Sequence, residues 1–515
     1  MARSRTDRSP RRRPKPARGH DLTSTLPDDL LLHVLRRLDT RSAVGTAVLS
    51  RRWARLRREL PDLDLRVSNM LPPRYHRLVL LHRDIEKRKG SHCLYRRDAM
   101  QQELVPNIRR YERRAMRALT SSVDRFPRPQ SVSRLRLEFF LTGNTGCINR
   151  LIARSIDVSD LEALAKPIHQ ERSVHTFPSH GLCQEPRASC LRSLKLGCCV
   201  LPPLHEFSAL TTLVLQDLPR STPAAAYEGV FTSCRQLQVL HLKSCACSGN
   251  SDLVVVGAPG SGIKELVVDK CAFSQMWLRA LPNLEILASL DTTVLFESES
   301  FPCLRRWNLT QSVGAMIRSA EGLPLFYTGH HIELGWFLGC TPDITNLVVR
   351  FTGPLRWIMP SGSSSLLPPL LPKLRKLLVA DVPSSWDVSW PRLLLQTAPS
   401  LEILHIHIAP CKEKPGHKIP WKKHTRRRHH CIKEFVVAGF EGTESQICLV
   451  RFVIGVSRLR HVGLFKKGQP RDKGHWDWEM VTEHHSWTDE EKDATLEQIM
   501  DGVSFSNHPV QLILG

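Results

Sequence analysis

The sequence repeats one short phrase: an apolar residue, two others, an apolar residue, one other, an apolar residue. It reads "VSRLRL" from Val132, "LRSLKL" from Leu191, "LTTLVL" from Leu210, "LQVLHL" from Leu237, "IKELVV" from Ile263 and "LRRWNL" from Leu304. It continues as "ITNLVV" from Ile344, "LRKLLV" from Leu374, "LEILHI" from Leu401, "IKEFVV" from Ile432 and "LRHVGL" from Leu459, with a degenerate "LEILAS" at Leu284. From Leu191 onward successive starts lie mostly 19 to 31 residues apart. In an extended segment alternate side chains share a face, so the last two apolar positions point to a core and the residue between them stays outside. A unit this short cannot bury its own apolar face, whereas stacked units bury a continuous one. The pattern predicts an α/β chain: a curved solenoid with a parallel sheet along its concave side. The longer gap from Leu304 to Ile344 predicts one eroded unit. An ordinary α/β domain fits less well, because long amphipathic helices do not alternate with the strands.

A different rhythm precedes the array, in "LPDDLLLHVLRRLDTRSAVGTAVLSRRWARLRREL" from Leu26 to Leu60. Pro27 suits a first helical turn, and Asp28 and Asp29 place negative charge at the positive end of the helix dipole. Leu30, Leu31, Val34, Leu35 and Leu38 then mark a wide apolar face. Asp39 or Thr40 caps a second short helix carrying Val44, Ala47 and Val48, and Ser50 caps a third holding Trp53 and Leu56. Some forty residues make a marginal core on their own. The exposed arc must be covered, either by the rest of the chain or by a partner.

The stretch from Leu26 to Leu56 resembles the F-box of plant F-box proteins, in its Leu-Pro start, acidic pair, "VLSRRW" centre and following Leu60-Pro61. Where many of those proteins have a second Trp shortly after the first, this chain has "ARLRREL". The resemblance implies a three-helix unit that inserts into a Skp-type adaptor and is tethered through it to a cullin-RING ubiquitin ligase. By the same resemblance Leu26, Pro27, Leu30, Val34, Val48, Leu49, Ser50 and Trp53 either face the adaptor or hold the contacting helices together. The phrases of the array resemble the divergent leucine-rich repeats of that class, whose period brackets the observed one. "IKEFVVAGFEGTESQICLVRFVIGVSRLRHVGL" resembles its C-terminal FBD motif: a strand, a Gly-Thr-Glu turn, a helix and a returning strand. The expected organisation is a basic disordered tail (1–20), the F-box (21–65), a basic helical connector (66–131), divergent repeats (132–430), an FBD-like end (431–465) and a C-terminal capping segment (466–515).

Charge and cysteine content narrow the function. Lys and Arg outnumber Asp and Glu by 73 to 50, a net charge of +23. Residues 1–20 hold eight of those cations and one acid; Arg11, Arg12, Arg13 and Lys15 form a candidate nuclear-import signal in a segment too polar to order itself. No apolar run spans a bilayer and no signal peptide is evident, so a soluble protein of the nucleus or cytoplasm is expected, without membrane contact. The cysteines lack paired spacing and read as reduced, mostly buried thiols. In the connector, "RRYERRAMRALTSSVDRF" reads as a helix capping the first repeat, with Tyr111, Met116, Leu119 and Val123 on or near one face. "TDEEKDATLEQIMDGV" opens with a capping box, Thr488 and Glu491, and carries a stripe of Leu496, Ile499, Met500 and Val503.

No stretch of the sequence completes a catalytic or metal-binding motif. "GAPGSGIK" from Gly257 departs from a phosphate loop, since Glu265 stands where Ser or Thr is needed and a strand follows. The segment from Cys411 to Cys431 is rich in His but crowded with Arg and Lys, and reads as a solvated basic loop rather than a metal site. No cofactor and no enzymatic activity are expected. The function the sequence supports is a substrate receptor of an SCF-type ligase that works by holding a protein target near the catalytic machinery. Outward strand positions Lys195, Val214, His241, Lys376 and His405 are candidate target contacts. The alternative is a basic nuclear nucleic-acid-binding scaffold, or one that acts independently of the ligase.

Overall fold

Strand pairing follows chain order from one end of the molecule to the other. The computed structural model describes residues 26–56, 59–87, 94–124, 132–143, 145–154, 158–169, 171, 173–178, 190–248, 253–297, 301–312, 331–333, 338, 341, 343–352, 357–359, 371–384, 395, 397–411, 431–456, 459–483, 487–501 and 511–515. Arg11, Arg12, Arg13, Lys15, the His-rich stretch after Cys411 and Val503 lie outside the described residues.

Three short helices come first, α1 (Asp28–Arg37), α2 (Thr40–Gly45) and α3 (Arg51–Leu56). Strand β1 (Asp62–Arg66) follows, then α4 (Pro73–Lys87) and α5 (Leu94–Asp124), then β2 (Arg134–Leu141), α6 (Gly146–Arg154) and β3 (Asp160–Pro167). The array continues as β4 (Ser193–Gly197), β5 (Thr212–Gln216), α7 (Ala224–Ser233), β6 (Val239–Lys243), β7 (Glu265–Asp269) and β8 (Ile286–Leu290). It is completed by β9 (Arg306–Ser312), β10 (Asn346–Thr352), β11 (Lys376–Pro383), β12 (Ile403–Ala409), β13 (Glu434–Ala438), α8 (Glu444–Val456) and β14 (His461–Phe465). Helix α9 (Asp489–Met500) and β15 (Gln511–Leu514) end the chain.

Among the described residues these fifteen strands form one sheet in sequential order, and every pairing in it is parallel. One face carries the second and third apolar positions of each phrase into a continuous core that includes Leu194, Leu213, Leu240, Leu266, Leu287, Leu347, Leu377 and Leu404. The far side of that core is closed in part by a smaller parallel sheet of Leu253–Gly257, Gln275–Ala280 and Val294–Phe296. The other face of the main sheet is called the open face below.

The strands leave the sheet by a recurring turn. Cys198, Asp217, Ser244, Lys270 and Asp291 directly follow β4 to β8, and all have φ between 47° and 51°. A left-handed residue at each strand end turns the chain the same way every time, which is how successive units stay in register. Cysteine serves this corner. The thiols of Cys245 and Cys271 donate to the carbonyls of Leu215 and Leu242, in the preceding strands, at 3.4 and 3.5 Å. Both side chains are buried, as are Cys198, Cys199 and Cys234.

Four local readings change. β9 pairs directly with β10, so the sheet has no place for an eroded unit between Leu304 and Ile344. The degenerate "LEILAS" forms the full strand β8, with Ala288 and Ser289 buried. β1 and β3 match no phrase quoted above, yet both are members of the sheet. Met500 is exposed rather than part of a buried stripe, and among the described members of that stripe only Ile499 is fully buried.

The connector and the C-terminus behave as packing elements. Met116, Leu119 and Val123 of α5 join the main core beside β2, while Tyr111 is half-buried. Thr488 and Glu491 form the expected capping box, each side chain accepting from the other's backbone N–H at 3.2 Å. Helix α9 lies against α8 through Arg451, whose Nε donates to the Gln498 carbonyl at 2.6 Å. The last strand of the sheet is β15, parallel to β14. β13, α8 and β14 give the strand, helix and returning strand expected of residues 432–464. No helix among the described residues is long and apolar enough to cross a membrane.

Candidate functional site

The helix trio divides its apolar residues between two jobs. Leu31 and Leu35 are each 1% exposed and pack with Ala43, Trp53, Leu56 and Leu60 in a small core separate from the main one, with Leu26 and Leu32 against it. One step round α1, Leu30 is 52% exposed and Val34 44%. Together with the exposed Leu38 they form an i, i+4, i+8 stripe that nothing in the chain covers among the described residues. Val48 and Leu49, at the end of the Thr46–Val48 turn, are 91% and 68% exposed. Five large aliphatic side chains at such exposure stand out on so small a unit.

Polar groups fix the trio so that this surface is presented. Asp28 receives Arg52 Nε and Arg55 Nη2 at 2.6 Å each, which ties the start of α1 to α3. The hydrogen bond from Arg52, reinforced by both positive charges, holds the Asp28 carboxyl below the usual carboxylate range. Arg52 also donates to the Leu26 carbonyl. Asp39 caps α2, accepting from the Ser42 N–H at 2.9 Å, and Ser50 caps α3, accepting from the Trp53 N–H at 3.4 Å. Asp64 N–H donates to Thr40 Oγ1 at 2.9 Å and joins α2 to β1. Of the eight residues singled out by the resemblance, Leu26, Ser50 and Trp53 therefore support the fold. Leu30, Val34, Val48 and Leu49 face solvent, and Pro27 is the exposed residue that precedes α1. Arg52 and Arg55 are not legible as site residues in the sequence, because two arginines in a basic helix carry no mark of a carboxylate 24 and 27 residues away.

The open face of the sheet holds the second set of candidates. Parallel pairing places Arg136, Glu162, Lys195, Val214 and His241 in one row across β2 to β6, and His405 lies in the continuation of that row on β12. Lys376 sits in a different row, between Asn346 and Ile403. Lys195 is paired with Glu162 at 3.0 Å, and His241 Nε2 lies 2.7 Å from Glu265.

A hairpin of Lys467–Lys473 and Asp477–Glu483 crosses the same face. Trp478 is buried against Val348, Leu378 and Ala380, and its indole N–H donates to His405 Nδ1 at 2.8 Å. That bond leaves the proton of neutral His405 on Nε2, which lies 2.7 Å from Glu434 Oε1. The His405 hydrogen bond draws the Glu434 carboxyl below its ordinary value. Asn308 Nδ2 donates to the His475 carbonyl at 2.7 Å, Arg350 meets Asp472 at 3.4 Å, and the His475 ring stands edge-on to His241 at 6.0 Å. His405 is thus engaged by this chain's own hairpin rather than open to a target, and His241 faces the hairpin's tip. Lys195 and Val214 lie beyond these contacts. The sequence offered little sign of the hairpin, whose strands are polar apart from Trp478, Met480 and Val481.

Comparison with known proteins locates the similarity in the helix trio. The F-box domain family matches residues 24–56. An F-box/FBD/LRR-repeat protein of Arabidopsis thaliana is 48% identical over 56 residues, 11% of this chain and 12% of that protein. An F-box protein of the same plant is 44% identical over 59 residues, 12% of each chain. An F-box/LRR-repeat protein, also from Arabidopsis thaliana, is 45% identical over 53 residues, 10% of this chain and 14% of the relative. The matched segment thus spans about one eighth of the length of these relatives. The exposed stripe Leu30, Val34 and Leu38, the Val48–Leu49 pair and all of the core beneath them except Leu60 fall inside the F-box match, at the N-terminal end of a large parallel sheet.

Proposed function

We propose that this protein is the substrate-recognition subunit of an SCF-type cullin-RING ubiquitin ligase. The F-box docks a Skp-type adaptor through Leu30, Val34, Val48 and Leu49, with Pro27 at the rim. The strand array is a leucine-rich-repeat solenoid ending in an FBD-like region, and its open face is the concave surface that receives a protein target. The chain's own contribution is positional: it raises the effective concentration of a target lysine at the catalytic machinery without supplying an acid, base or nucleophile. The target contacts are Lys195 and Val214, on the part of the open face beyond the hairpin. The protein acts in the nucleus or cytoplasm, directed by the Arg11–Arg13 and Lys15 cluster.

The observation that carries this reading is the split in α1, where Leu31 and Leu35 complete the trio's core and Leu30 and Val34 remain in solvent. Truncating the exposed pair to Asp abolishes co-purification with the Skp-type adaptor while leaving the thermal unfolding of the chain unchanged. Equal recovery of adaptor by wild type and variant contradicts the assignment. A basic nucleic-acid-binding scaffold predicts instead that the dominant interaction weakens steeply with salt.

A further inference from the structure

The open face changes character along its length. The register row that begins Arg136, Glu162, Lys195, Val214 and His241 continues as Val267, Ala288, Asn308, Val348, Leu378, His405 and Val436. Four of the first five are polar or charged, and all five are half-buried. The apolar members of the continuation are each at most 6% exposed. From β7 to β13 the sheet therefore carries apolar side chains on both faces, and the strip on the open face needs a cover.

The hairpin of Lys467–Lys473 and Asp477–Glu483 covers part of this strip, yet it is lightly held. Its strands pair with each other in a sheet separate from the main one. Trp478 is its one buried residue, and the cluster that Trp478 forms with Val348, Leu378 and Ala380 is separate from the main core. Near the tip, the Trp476 indole N–H is buried without a partner, a cost that weakens the docking. A two-stranded hairpin is at best marginally stable by itself. Such an element rests on the strip as a ligand rests in a groove.

The seated hairpin also displays what the groove selects. Its indole fills the space beside Val348, Leu378 and Ala380 and donates to His405 Nδ1 at 2.8 Å, a bond phenylalanine could not make. Asp472 stands directly opposite Trp478 in the hairpin register and brings a carboxylate to Arg350 at 3.4 Å; Arg350 also pairs with Asp381 at 2.9 Å.

We propose that this strip is a docking groove for an extended protein segment that carries a tryptophan beside a carboxylate, and that the hairpin occupies the groove until such a segment displaces it. The inference rests on the reading of the open face as the target surface and adds a gate to it.

The probe is a synthetic peptide of residues 467–483, closed by a disulfide between cysteines added at its two ends. Full-length Trp478→Ala, whose hairpin has lost its plug, should bind the labelled peptide at micromolar concentration in fluorescence anisotropy. Wild type should bind it at least about tenfold more weakly, because a tethered competitor acts at millimolar effective concentration. A peptide that itself carries Trp478→Ala should bind neither chain. A second measurement needs no variant of the chain. In isotopically labelled wild type, millimolar peptide should speed amide exchange across 467–483 by at least about tenfold, which a permanently seated hairpin does not allow. Absence of binding to the Trp478→Ala chain, equal binding by the two chains, equal binding of the two peptides, or hairpin exchange unmoved by peptide overturns the proposal. Adaptor binding by the same two chains reads the receptor role separately, and its absence from both would sink that role without altering the peptide result.

Discussion

Leu30 and Leu31 are neighbours in the sequence and have opposite fates in the fold. Leu31→Ala or Leu35→Ala opens a cavity in a six-residue core and should cost about 2–5 kcal/mol, enough to melt the trio. Leu30→Ala or Val34→Ala should change stability by no more than about 0.5 kcal/mol, because each side chain is already in solvent. Thermal melts of the two sets of variants separate the pairs. The sequence displayed all four residues as one wide apolar arc but did not divide them, since the division depends on where α3 lies. That placement comes from Asp28 bridging Arg52 and Arg55, a long-range contact no local pattern reveals. His175 gives a second residue-scale prediction. Burial lowers its imidazole from 6.5 to about 4, so between those pH values the unfolded chain takes up a proton that the folded chain refuses. Stability on this account is full above pH 6.5 and falls by about 3 kcal/mol as pH drops to 4. Denaturant titrations of wild type and His175→Phe across that range check it: the variant should lose that part of the acid-side slope, and parallel slopes would count against it.

Elements differ in how openly the sequence announced them. Phrases with large side chains at all three positions became strands of the main sheet, and their register follows from the alternation. β3 escaped notice because Ala163 and Ala165 occupy its inward positions, too small to stand out though fully buried. The hairpin over the open face escaped for a stronger reason. Its anchor, Trp478, meets a histidine 73 residues earlier, and no alternation within 467–483 predicts that docking. Trp478→Ala should free the hairpin, seen as faster amide exchange across 467–483 with the exchange of β9 to β12 little altered; an unchanged hairpin would show that Trp478 is not its anchor. Gly439, directly after β13, is a simpler case. Its φ is +79°, and a Cβ there would lie 2.1 Å from the Ile408 carbonyl oxygen. Gly439→Ala should therefore destabilise the end of the array by more than about 1 kcal/mol, from backbone strain and steric overlap together. A matching denaturation midpoint in the two proteins would contradict the close approach.

At the scale of the molecule, a trio with its own small core is attached to one end of a sequentially paired parallel sheet with another. The repeat made the sheet legible because each unit needs its neighbours, and the F-box stretch was legible because its residues resemble a known pattern. The fate of the open face was not legible, since the chain itself occupies part of it. Under the proposed function two tasks are separated, an apolar contact at the trio and target recognition along the sheet. The most direct test of that separation is calorimetric titration of the purified chain with a Skp-type adaptor, comparing wild type with Leu30→Asp/Val34→Asp at low and high salt. The account predicts binding by wild type that hardly responds to salt, and a loss of at least about 2 kcal/mol in the variant at unchanged melting temperature. Equal affinity for the two proteins, or wild-type binding that vanishes as salt rises, would contradict it.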